Sequence, residues 1–537
     1  MSIKTRRLFF SLTLFFAVCA LMGTLVQKQV GAQSTMDESQ VRDSIRSFTS
    51  VYALVEQNYA DPITGEKADR AIYDGAIPGM LRVLDPHSSF YDPKAYARMR
   101  EDQHGRYYGV GMLIQPQNNK IVVVTPFEGT PSYRAGIRPG DVIAAVDGKP
   151  TDNMTSEDVA NVLKGPKGTH VQVTIAREGA TKPLIFDLIR DEIPHNSVEL
   201  KYEIRPGIGY IRLVGFQETT AHEIFDALDS FGNLKGLVLD LRGNPGGLLS
   251  QAVDICDRWL AKGQTIVSQH GRAFPDQVYR ATRGNGGNTY PIVVLVNRNT
   301  ASAAEIVSGA LQDHDRALIV GETTFGKGLV QTLYNMSENT GLALTTYHYY
   351  TPSGRLIQRN YEGVSLYDYY YNHAGEKPAD NTNREVKLTD SGRTVYGGGG
   401  ITPDEKIETP KTTRMQDTLL YHYSFFNFSH HYLASHAVSR DFKVDDAVLT
   451  EFKQMLGTEG VEYNPEEFTE VQDWIKIQIK AELFTSQFGQ TEGLKIRADN
   501  DPEIEKAIGF LPKAQALEEN AGKIAAQKAV AANGSEN

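Results

Sequence analysis

A serine and a lysine in successive segments are the residues of this chain best suited to nucleophilic chemistry. Ser302 follows an apolar run, Ile292 to Val296, and a polar turn, and it lies in a stretch with helical spacing, Ala301 to Leu311. The pattern therefore predicts that Ser302 lies in the first turn of a helix, just beyond a strand end. That position has unsatisfied backbone N–H groups and the positive end of the helix dipole, which stabilise an alkoxide or an oxyanion.

A serine hydroxyl needs a base at neutral pH, and Lys327 is the candidate for that role. The residues around Ser302 do not form a Gly-x-Ser-x-Gly elbow, so they give no local support to a hydrolase triad of that kind. Lys327 lies between two glycines and has the apolar neighbours Phe325, Leu329 and Val330. A lysine acts as a base only when neutral, and lowering its pKa from about 10.4 to near 7 costs roughly 4 to 5 kcal/mol.

Gln331 is a candidate to orient the lysine amine, and its role depends on the backbone between the two residues. If the segment turns, the amide of Gln331 reaches Lys327, whereas in an extended strand the two residues would be roughly 13 Å apart. The spacing alone also leaves open that Ser302 and Lys327 are ordinary solvated surface residues.

Three long motifs are similar to those of one family of peptidases. They are NRNTASAAEIVSGALQDHDRALIVGETTFGKGLVQ, which starts at Asn297, DLRGNPGG from Asp240 to Gly247, and YYTPSGRLIQ from Tyr349 to Gln358. Together they resemble the C-terminal processing peptidases, also called tail-specific proteases, which are S41 serine peptidases with a PDZ domain. The similarity extends over most of residues 37–410. It implies an α+β multidomain fold, in which a PDZ module is joined to a mixed α/β peptidase core of the ClpP/crotonase type, with helical N- and C-terminal regions.

The resemblance assigns roles to the residues singled out above. It implies that Ser302 is the nucleophile, Lys327 the general base and Gln331 the residue that positions the lysine. Glu305, one helical turn from Ser302, corresponds to a carboxylate sometimes implicated in the family and is a candidate accessory residue. The alternative for Glu305 is an ordinary exposed charge on a helix.

The Gly-Asn-Pro-Gly-Gly turn at 243–247 lies where a predicted strand leads into a helix. Glycines there let the backbone approach a ligand, and their N–H groups could form an oxyanion hole together with the N–H of Ala303. The resemblance favours this interpretation, and Gly246 and Gly247 are equal candidates. A tight structural turn is the alternative.

Residues 105–190 have the pattern of short strands with glycine-rich turns and resemble a PDZ domain, most specifically in GIRPGDVIAAVDG from Gly136 to Gly148. PDZ domains bind a chain end by adding it as a strand to a sheet edge, with its carboxylate held by backbone N–H groups of a glycine loop. Gly109, Val110 and Gly111 are expected to form that loop. The expected partners are therefore protein or peptide C-terminal segments, and a purely structural hairpin is the alternative.

The N-terminus predicts export from the cytoplasm. Lys4, Arg6 and Arg7 precede an uncharged run from Leu8 to Val26, which would measure about 28 Å as a helix, close to the hydrocarbon thickness of a bilayer. Residues 1–33 are thus either a cleaved signal peptide or a retained anchor in the inner membrane. Both interpretations put the bulk of the protein in the periplasm or another extracytoplasmic space.

Overall composition excludes several classes of function. The formal net charge of −11 argues against a nucleic-acid partner. The two cysteines imply no disulfide framework. The histidines show no fixed ligand spacing, so neither a metal nor another cofactor is expected.

The pattern along the chain predicts the domain organisation. After the export segment come a helical region at 37–104, the PDZ domain at 105–190, the peptidase core at 195–410 and a helical extension at 411–537 with a disordered tail. Residues 359–396 are an insertion in the core, either a flap or a contact with a second copy in a homo-oligomer. The sequence predicts an exported serine endopeptidase with a Ser-Lys dyad. The alternatives are a non-catalytic PDZ scaffold that binds peptides and an acyl-CoA-type enzyme with an oxyanion hole.

Overall fold

The structure is a computed structural model that describes residues 38–63, 65–287, 289–371 and 384–534. Across these residues, no helix combines the length and the apolar character that are needed to cross a bilayer. The predicted export segment, residues 1–33, lies outside the described residues.

The N-terminal region is mostly helical, and a short strand joins it to the peptidase core. Its elements are α1 (Glu38–Asn58), α2 (Glu66–Arg70), a π-helical turn (Ala71–Ala76), α3 (Ile77–Arg82), β1 (Ser89–Tyr91) and α4 (Pro93–His104). The sequence pattern did not predict β1, which pairs antiparallel with residues 341–343 of the core. This pairing holds the preceding segment, residues 85–88, against the core.

The PDZ module is an antiparallel sheet with two short helices. Its elements are β2 (Arg106–Gly109), β3 (Met112–Gln117), β4 (Lys120–Pro126), α5 (Pro131–Arg134), β5 (Val142–Val146), β6 (Lys149–Pro150), α6 (Ser156–Leu163), β7 (His170–Ala176), β8 (Leu184–Ile189) and β9 (Asp191–Pro194). The sheet order is β3-β4-β5-β7-β8, β6 pairs with β5, and β2 pairs separately with β9. Strand β3, which follows the predicted carboxylate loop, is therefore an edge strand.

The peptidase core alternates strands and helices, as the sequence predicts. Its elements are β10 (Val198–Arg205), β11 (Ile208–Leu213), α7 (Thr220–Ser230), β12 (Gly236–Asp240), α8 (Leu249–Asp257), β13 (Thr265–His270), β14 (Gln277–Arg280), β15 (Ile292–Val296), α9 (Ala303–Asp313), β16 (Leu318–Gly321), β17 (Leu329–Asn335), β18 (Gly341–Tyr350), α10 (Leu366–Tyr370), β19 (Val386–Leu388), β20 (Thr394–Tyr396) and β21 (Glu405–Lys406). The predicted insertion contains α10 and the β19–β20 hairpin.

A six-stranded sheet forms the centre of the core. Its order is β10-β11-β12-β15-β16-β21, and all neighbours except β10 and β11 are parallel. Leu237 and Leu239 of β12 pack on the face that α7, α8 and α9 cover, while Val238 packs on the opposite face with the C-terminal helices. Because both faces are covered, the inner strands β12, β15 and β16 are buried along their whole length and are almost entirely apolar. Beside it, β1, β18, β13 and β14 form a second sheet, and β17 pairs with β18.

The C-terminal extension consists of helices joined by short loops. Its helices are α11 (Arg414–Tyr421), α12 (Ser424–Ser435), α13 (Asp446–Thr458), α14 (Pro465–Glu470), α15 (Gln472–Phe488), α16 (Gln490–Asp499), α17 (Pro502–Gly509) and α18 (Leu511–Gly534). The prediction of a disordered tail is wrong for α18. The Ala-, Glu- and Lys-rich composition favours helix, and Leu511 and Ala514 bury their side chains against the central sheet.

Candidate active site

Ser302 lies in a sharp turn between β15 and α9. The helix begins at Ala303, so Ser302 is the residue that precedes it rather than a member of its first turn. Its backbone has φ 55° and ψ −118°, a conformation that costs energy for any residue with a side chain. A strained strand-to-helix turn of this kind exposes a nucleophile in other hydrolases, and here it forms without the Gly-x-Ser-x-Gly sequence.

Hydrogen bonds between two loops hold the glycine turn against Ser302. The hydroxyl of Thr300 donates to the carbonyl of Leu241 over 2.8 Å. The backbone N–H of Ala301 donates to the carbonyl of Asn244 over 2.9 Å. The loops that follow β12 and β15 therefore form one rigid unit, as expected for the carboxyl ends of adjacent parallel strands.

The close approach of the two loops requires glycine at 246 and 247. Gly246 and Gly247 have φ values of 92° and 146°. A Cβ atom on Gly246 would lie 2.7 Å from Cβ of Ser302, and one on Gly247 would lie 2.1 Å from the carbonyl oxygen of Phe216. Neither position has room for a side chain.

Their hydrogen bonds distinguish Gly246 from Gly247, which the sequence left as equal candidates for the second donor of the oxyanion hole. The N–H of Gly246 donates to Oδ1 of Asn244 over 2.8 Å, so this donor is occupied. The N–H groups of Gly247 and Ala303 have no hydrogen-bond partner among the described residues. Gly247 and Ala303 therefore have the free donors beside Ser302.

Lys327 and Ser302 line the same cavity, which measures about 460 Å³. Lys327 is partly buried in the loop between β16 and β17. Burial lowers the pKa of its amine below 10.5, although the carboxyl groups of Glu305 and Asp85 oppose this shift. Among the described residues, Nζ of Lys327 forms no ion pair or hydrogen bond, including none with Oγ of Ser302 or the amide of Gln331.

Glu305 connects the segment of the serine to the segment of the lysine. Its side chain is fully buried, so the alternative of an exposed helix charge is wrong. One carboxylate oxygen accepts from the backbone N–H groups of Ser302 (2.8 Å) and Lys327 (2.9 Å). The other accepts from the N–H of Gly326 (2.7 Å) and the hydroxyl of Thr324 (2.5 Å). Burial raises the pKa of Glu305 to about 7, against the opposing effect of these four hydrogen bonds.

Gln331 lies in β17 and lines the cavity of Ser302 and Lys327. Its amide nitrogen donates to Oγ1 of Thr345 over 3.1 Å, and this hydroxyl donates to Asp85 over 3.1 Å. The side-chain nitrogen is therefore oriented by β18 and by the N-terminal region. The carbonyl oxygen of the amide has no partner among the described residues.

Three further residues near the site were not predicted to belong to it. His87 lines the cavity, and burial together with the charge of Lys327 lowers its pKa to about 3, so the ring is neutral. Asp85 accepts hydrogen bonds from the backbone N–H groups of residues 87 and 88. The buried hydroxyl of Tyr349 donates to the carbonyl of Ser302 over 3.2 Å. Asp85 and His87 belong to the segment LDPHSSFY, which has no local pattern that indicates a place in the cavity.

The predicted carboxylate loop joins β2 to the edge strand β3. Gly109 ends β2, and the carbonyls of Val110 and Gly111 accept hydrogen bonds from the N–H groups of Ser132 and Phe127, both over 2.9 Å. Within the described part of the chain, the N–H groups of Val110 and Gly111 have no partner. The loop thus has two fixed carbonyls and two free donors at the start of an unpaired strand edge.

Helix α4 connects the PDZ module to the cavity. Met99 and Gln103 of α4 line the cavity. On its other side, Arg98 forms an ion pair with Glu157 of α6 over 2.7 Å, at the helix that flanks the edge strand. Helix α4 therefore contacts both the cavity and the PDZ module.

Three family models match successive parts of the chain. The model of peptidase family S41 matches residues 207–365, which include Ser302 and Lys327. A PDZ domain model matches residues 122–177. A model described as the C-terminal helical domain of a probable PDZ-protease matches residues 415–467. Together with the described elements, these matches confirm the predicted fold class.

Curated relatives are carboxy-terminal processing proteases. The protease of Bartonella bacilliformis is 39% identical over 352 residues, which cover 64% of this chain and 80% of that protein. The carboxy-terminal processing protease CtpA of Bacillus subtilis is 34% identical, over 65% of this chain and 75% of its own. Among solved structures, the photosystem II D1 C-terminal processing protease is 28% identical over 67% of this chain and 92% of that one, with a TM-score of 0.34. The similarity to the two curated proteases, which the chain covers over 80% and 75% of their length, and the S41 match across the serine and the lysine show that the chain belongs to peptidase family S41 and is a serine-type peptidase.

Proposed function

We propose that this protein is an exported serine endopeptidase that cleaves proteins whose C-terminal or extended segments are bound by its PDZ module, using Ser302 and Lys327 as a dyad. One observation carries the proposal. The serine and a lysine with a lowered pKa line one cavity, and a single buried carboxylate, Glu305, accepts hydrogen bonds from the backbone of both. The relatives described above are proteases, which favours peptide hydrolysis over the scaffold and acyl-CoA alternatives.

In the proposed reaction, neutral Lys327 takes the proton of the Ser302 hydroxyl as Oγ attacks the peptide carbonyl. The N–H groups of Gly247 and Ala303 donate to the oxyanion of the tetrahedral intermediate. Lys327 then returns the proton to the leaving amine, and an acyl-enzyme ester remains on Ser302. Water attacks this ester with Lys327 again as base, which releases the acid and restores the serine.

In this mechanism the lysine side chain moves toward Ser302 when substrate binds, because Nζ has no hydrogen bond to Oγ of Ser302 among the described residues. Catalytic hydrogen bonds are often long before the substrate complex forms, so the unbonded amine is compatible with the role of base. Gln331 supports the same step, because Thr345 holds its amide nitrogen and leaves its carbonyl oxygen to accept a hydrogen bond from the amine.

The proposed capture of chain ends rests on the loop from Gly109 to Gly111. Two free N–H groups beside an edge strand suit a terminal carboxylate followed by an added strand. The proposed export, with residues 1–33 as signal or inner-membrane anchor and the rest in the periplasm, rests on the uncharged run after three cationic residues.

The test compares the wild type with Ser302→Ala and Lys327→Ala on an unfolded protein, with fragments identified by mass spectrometry. Both variants are expected to lose cleavage, and a fluorophosphonate probe is expected to label Ser302 in the wild type only. Cleavage that survives in Lys327→Ala would remove the proposed base. Cleavage that survives in Ser302→Ala would remove the nucleophile and the mechanism with it.

A further inference from the structure

The predicted insertion contributes a short aromatic helix that packs on the loop of Lys327. The ring of Tyr370 in α10 stacks on Phe325, with centroids 6.1 Å apart, and the ring of Tyr369 meets the same phenylalanine edge-on at 5.5 Å. The guanidinium of Arg359 lies over Phe325 at 4.4 Å. Helix α10 therefore covers the outer side of the loop two residues before the lysine.

The hydroxyl of Tyr369 joins this helix to the residue that follows the lysine. Only 2% of Tyr369 is exposed. The amide nitrogen of Gln358 donates to the hydroxyl oxygen of Tyr369 over 3.1 Å. The amide oxygen of Gln358 accepts from the backbone N–H of Gly328 over 2.8 Å. A chain of two hydrogen bonds therefore runs from Tyr369 to the backbone next to Lys327.

The same hydroxyl reaches the N-terminal region. Oη of Tyr369 lies 2.9 Å from Nε2 of His87, which lines the cavity of the serine and the lysine. The contact joins Tyr369 to an imidazole ring that burial keeps neutral. The hydroxyl of Tyr370 adds a second link by donating to the carbonyl of Pro86 over 2.7 Å. Helix α10 thus contacts both the loop of Lys327 and the segment 85–88 and fixes their relative position.

We propose that Tyr369 is a positioning residue for the catalytic base, and that the inserted helix keeps the loop of Lys327 in place and shields it from water. This inference rests on the proposed function, since it assigns Lys327 the role of base. Helix α10 is thus a fixed flap whose aromatic face lies on the active-site loop.

The expected effect appears in the pH dependence of cleavage. A lysine must be neutral to act as a base, so activity rises with pH as the amine loses its proton. Looser packing of α10 admits water to the loop, hydration favours the charged amine, and the pKa of Lys327 rises. The acid limb of the rate profile is therefore expected to move to higher pH.

The experiment measures kcat/KM on an unfolded protein or a peptide across pH for full-length wild type, Tyr369→Phe and Tyr369→Ala. Tyr369→Phe keeps the ring and loses the two hydrogen bonds, and it is expected to lower kcat/KM about fivefold or more and to move the acid limb to higher pH. Tyr369→Ala is expected to do both to a larger extent. Tyr371→Phe is the matched control, because Tyr371 is 75% exposed on the same segment, and its profile is expected to equal that of the wild type.

The outcomes separate this inference from the proposed function. A Tyr369→Phe profile that superimposes on that of the wild type, or a loss of activity without movement of the acid limb, overturns the inference. If either result occurs while Lys327→Ala is inactive, the dyad stands and only the role of Tyr369 falls. If Lys327→Ala cleaves at the wild-type rate, both proposals fall together.

Discussion

The four hydrogen bonds of Glu305 make Glu305→Gln the most informative substitution in this molecule. An amide has one oxygen, so its NH₂ group must face one of the two pairs of donors that the carboxylate satisfies. If the NH₂ group faced Ser302 and Lys327, two backbone N–H groups would lose their acceptor. If it faces Thr324 and Gly326, only the N–H of Gly326 loses its acceptor, because the hydroxyl of Thr324 can also accept a hydrogen bond. The second orientation is therefore expected.

The expected loss of stability follows from the number of donors that are left without an acceptor. One buried N–H without an acceptor costs about 1 to 3 kcal/mol, so the free energy of unfolding of Glu305→Gln is expected to fall by about that amount. The substitution also removes a negative charge that raises the pKa of the Lys327 amine. The pKa of Lys327 therefore falls in the variant, and the acid limb of the cleavage profile moves to lower pH. This shift is expected mainly above pH 7, because the pKa of Glu305 is about 7 and its carboxyl group is mostly ionised only above that pH.

The assay combines denaturant unfolding with kcat/KM across pH, with Glu462→Gln as control. Glu462 is an exposed glutamate in the loop before α14, so its neutralisation is expected to change neither quantity. The reasoning is refuted if Glu305→Gln matches the control in stability. It is also refuted if the acid limb moves to higher pH, since removal of a nearby carboxylate can only favour the neutral amine.

Three further predictions concern the oxyanion donors, the PDZ loop and the cavity. Gly247→Ala is expected to lower kcat about 100-fold or more, because its Cβ would lie 2.1 Å from a carbonyl oxygen and displace the N–H donor, while Gly522→Ala, which meets no atom within 4 Å, leaves kcat unchanged. Isothermal titration is expected to show that a peptide with a C-terminal amide binds at least tenfold more weakly than the same peptide with a free carboxylate, and equal affinities would contradict the assignment of Val110 and Gly111. Because Leu249, Ile306 and other apolar side chains line the cavity, mass spectrometry of the products is expected to show cuts mainly after apolar residues.

Local patterns in the sequence were sufficient for the elements that carry the site. Strand Ile292–Val296 has the predicted boundaries, because an apolar run followed by turn residues is a local signal. The helix of Ser302 was predicted two residues too early at its start, since Ala301 and Ser302 have the composition of a helix but form the turn before it. The prediction of a disordered tail was wrong because the first residues of its helix, Leu511 and Ala514, pack against a sheet that is distant in sequence.

The sequence by itself determined the strand Ile292–Val296, the candidate residues Ser302 and Lys327, and the glycine turn, because each of these depends on residue types within one segment. Only the tertiary structure decided that Glu305 is buried between the two segments, that Gly247 rather than Gly246 has the free N–H, and that His87 reaches the cavity. Each of these depends on which hydrogen-bond partners distant segments bring together, and a side chain acquires such partners only when the sheets and loops have packed.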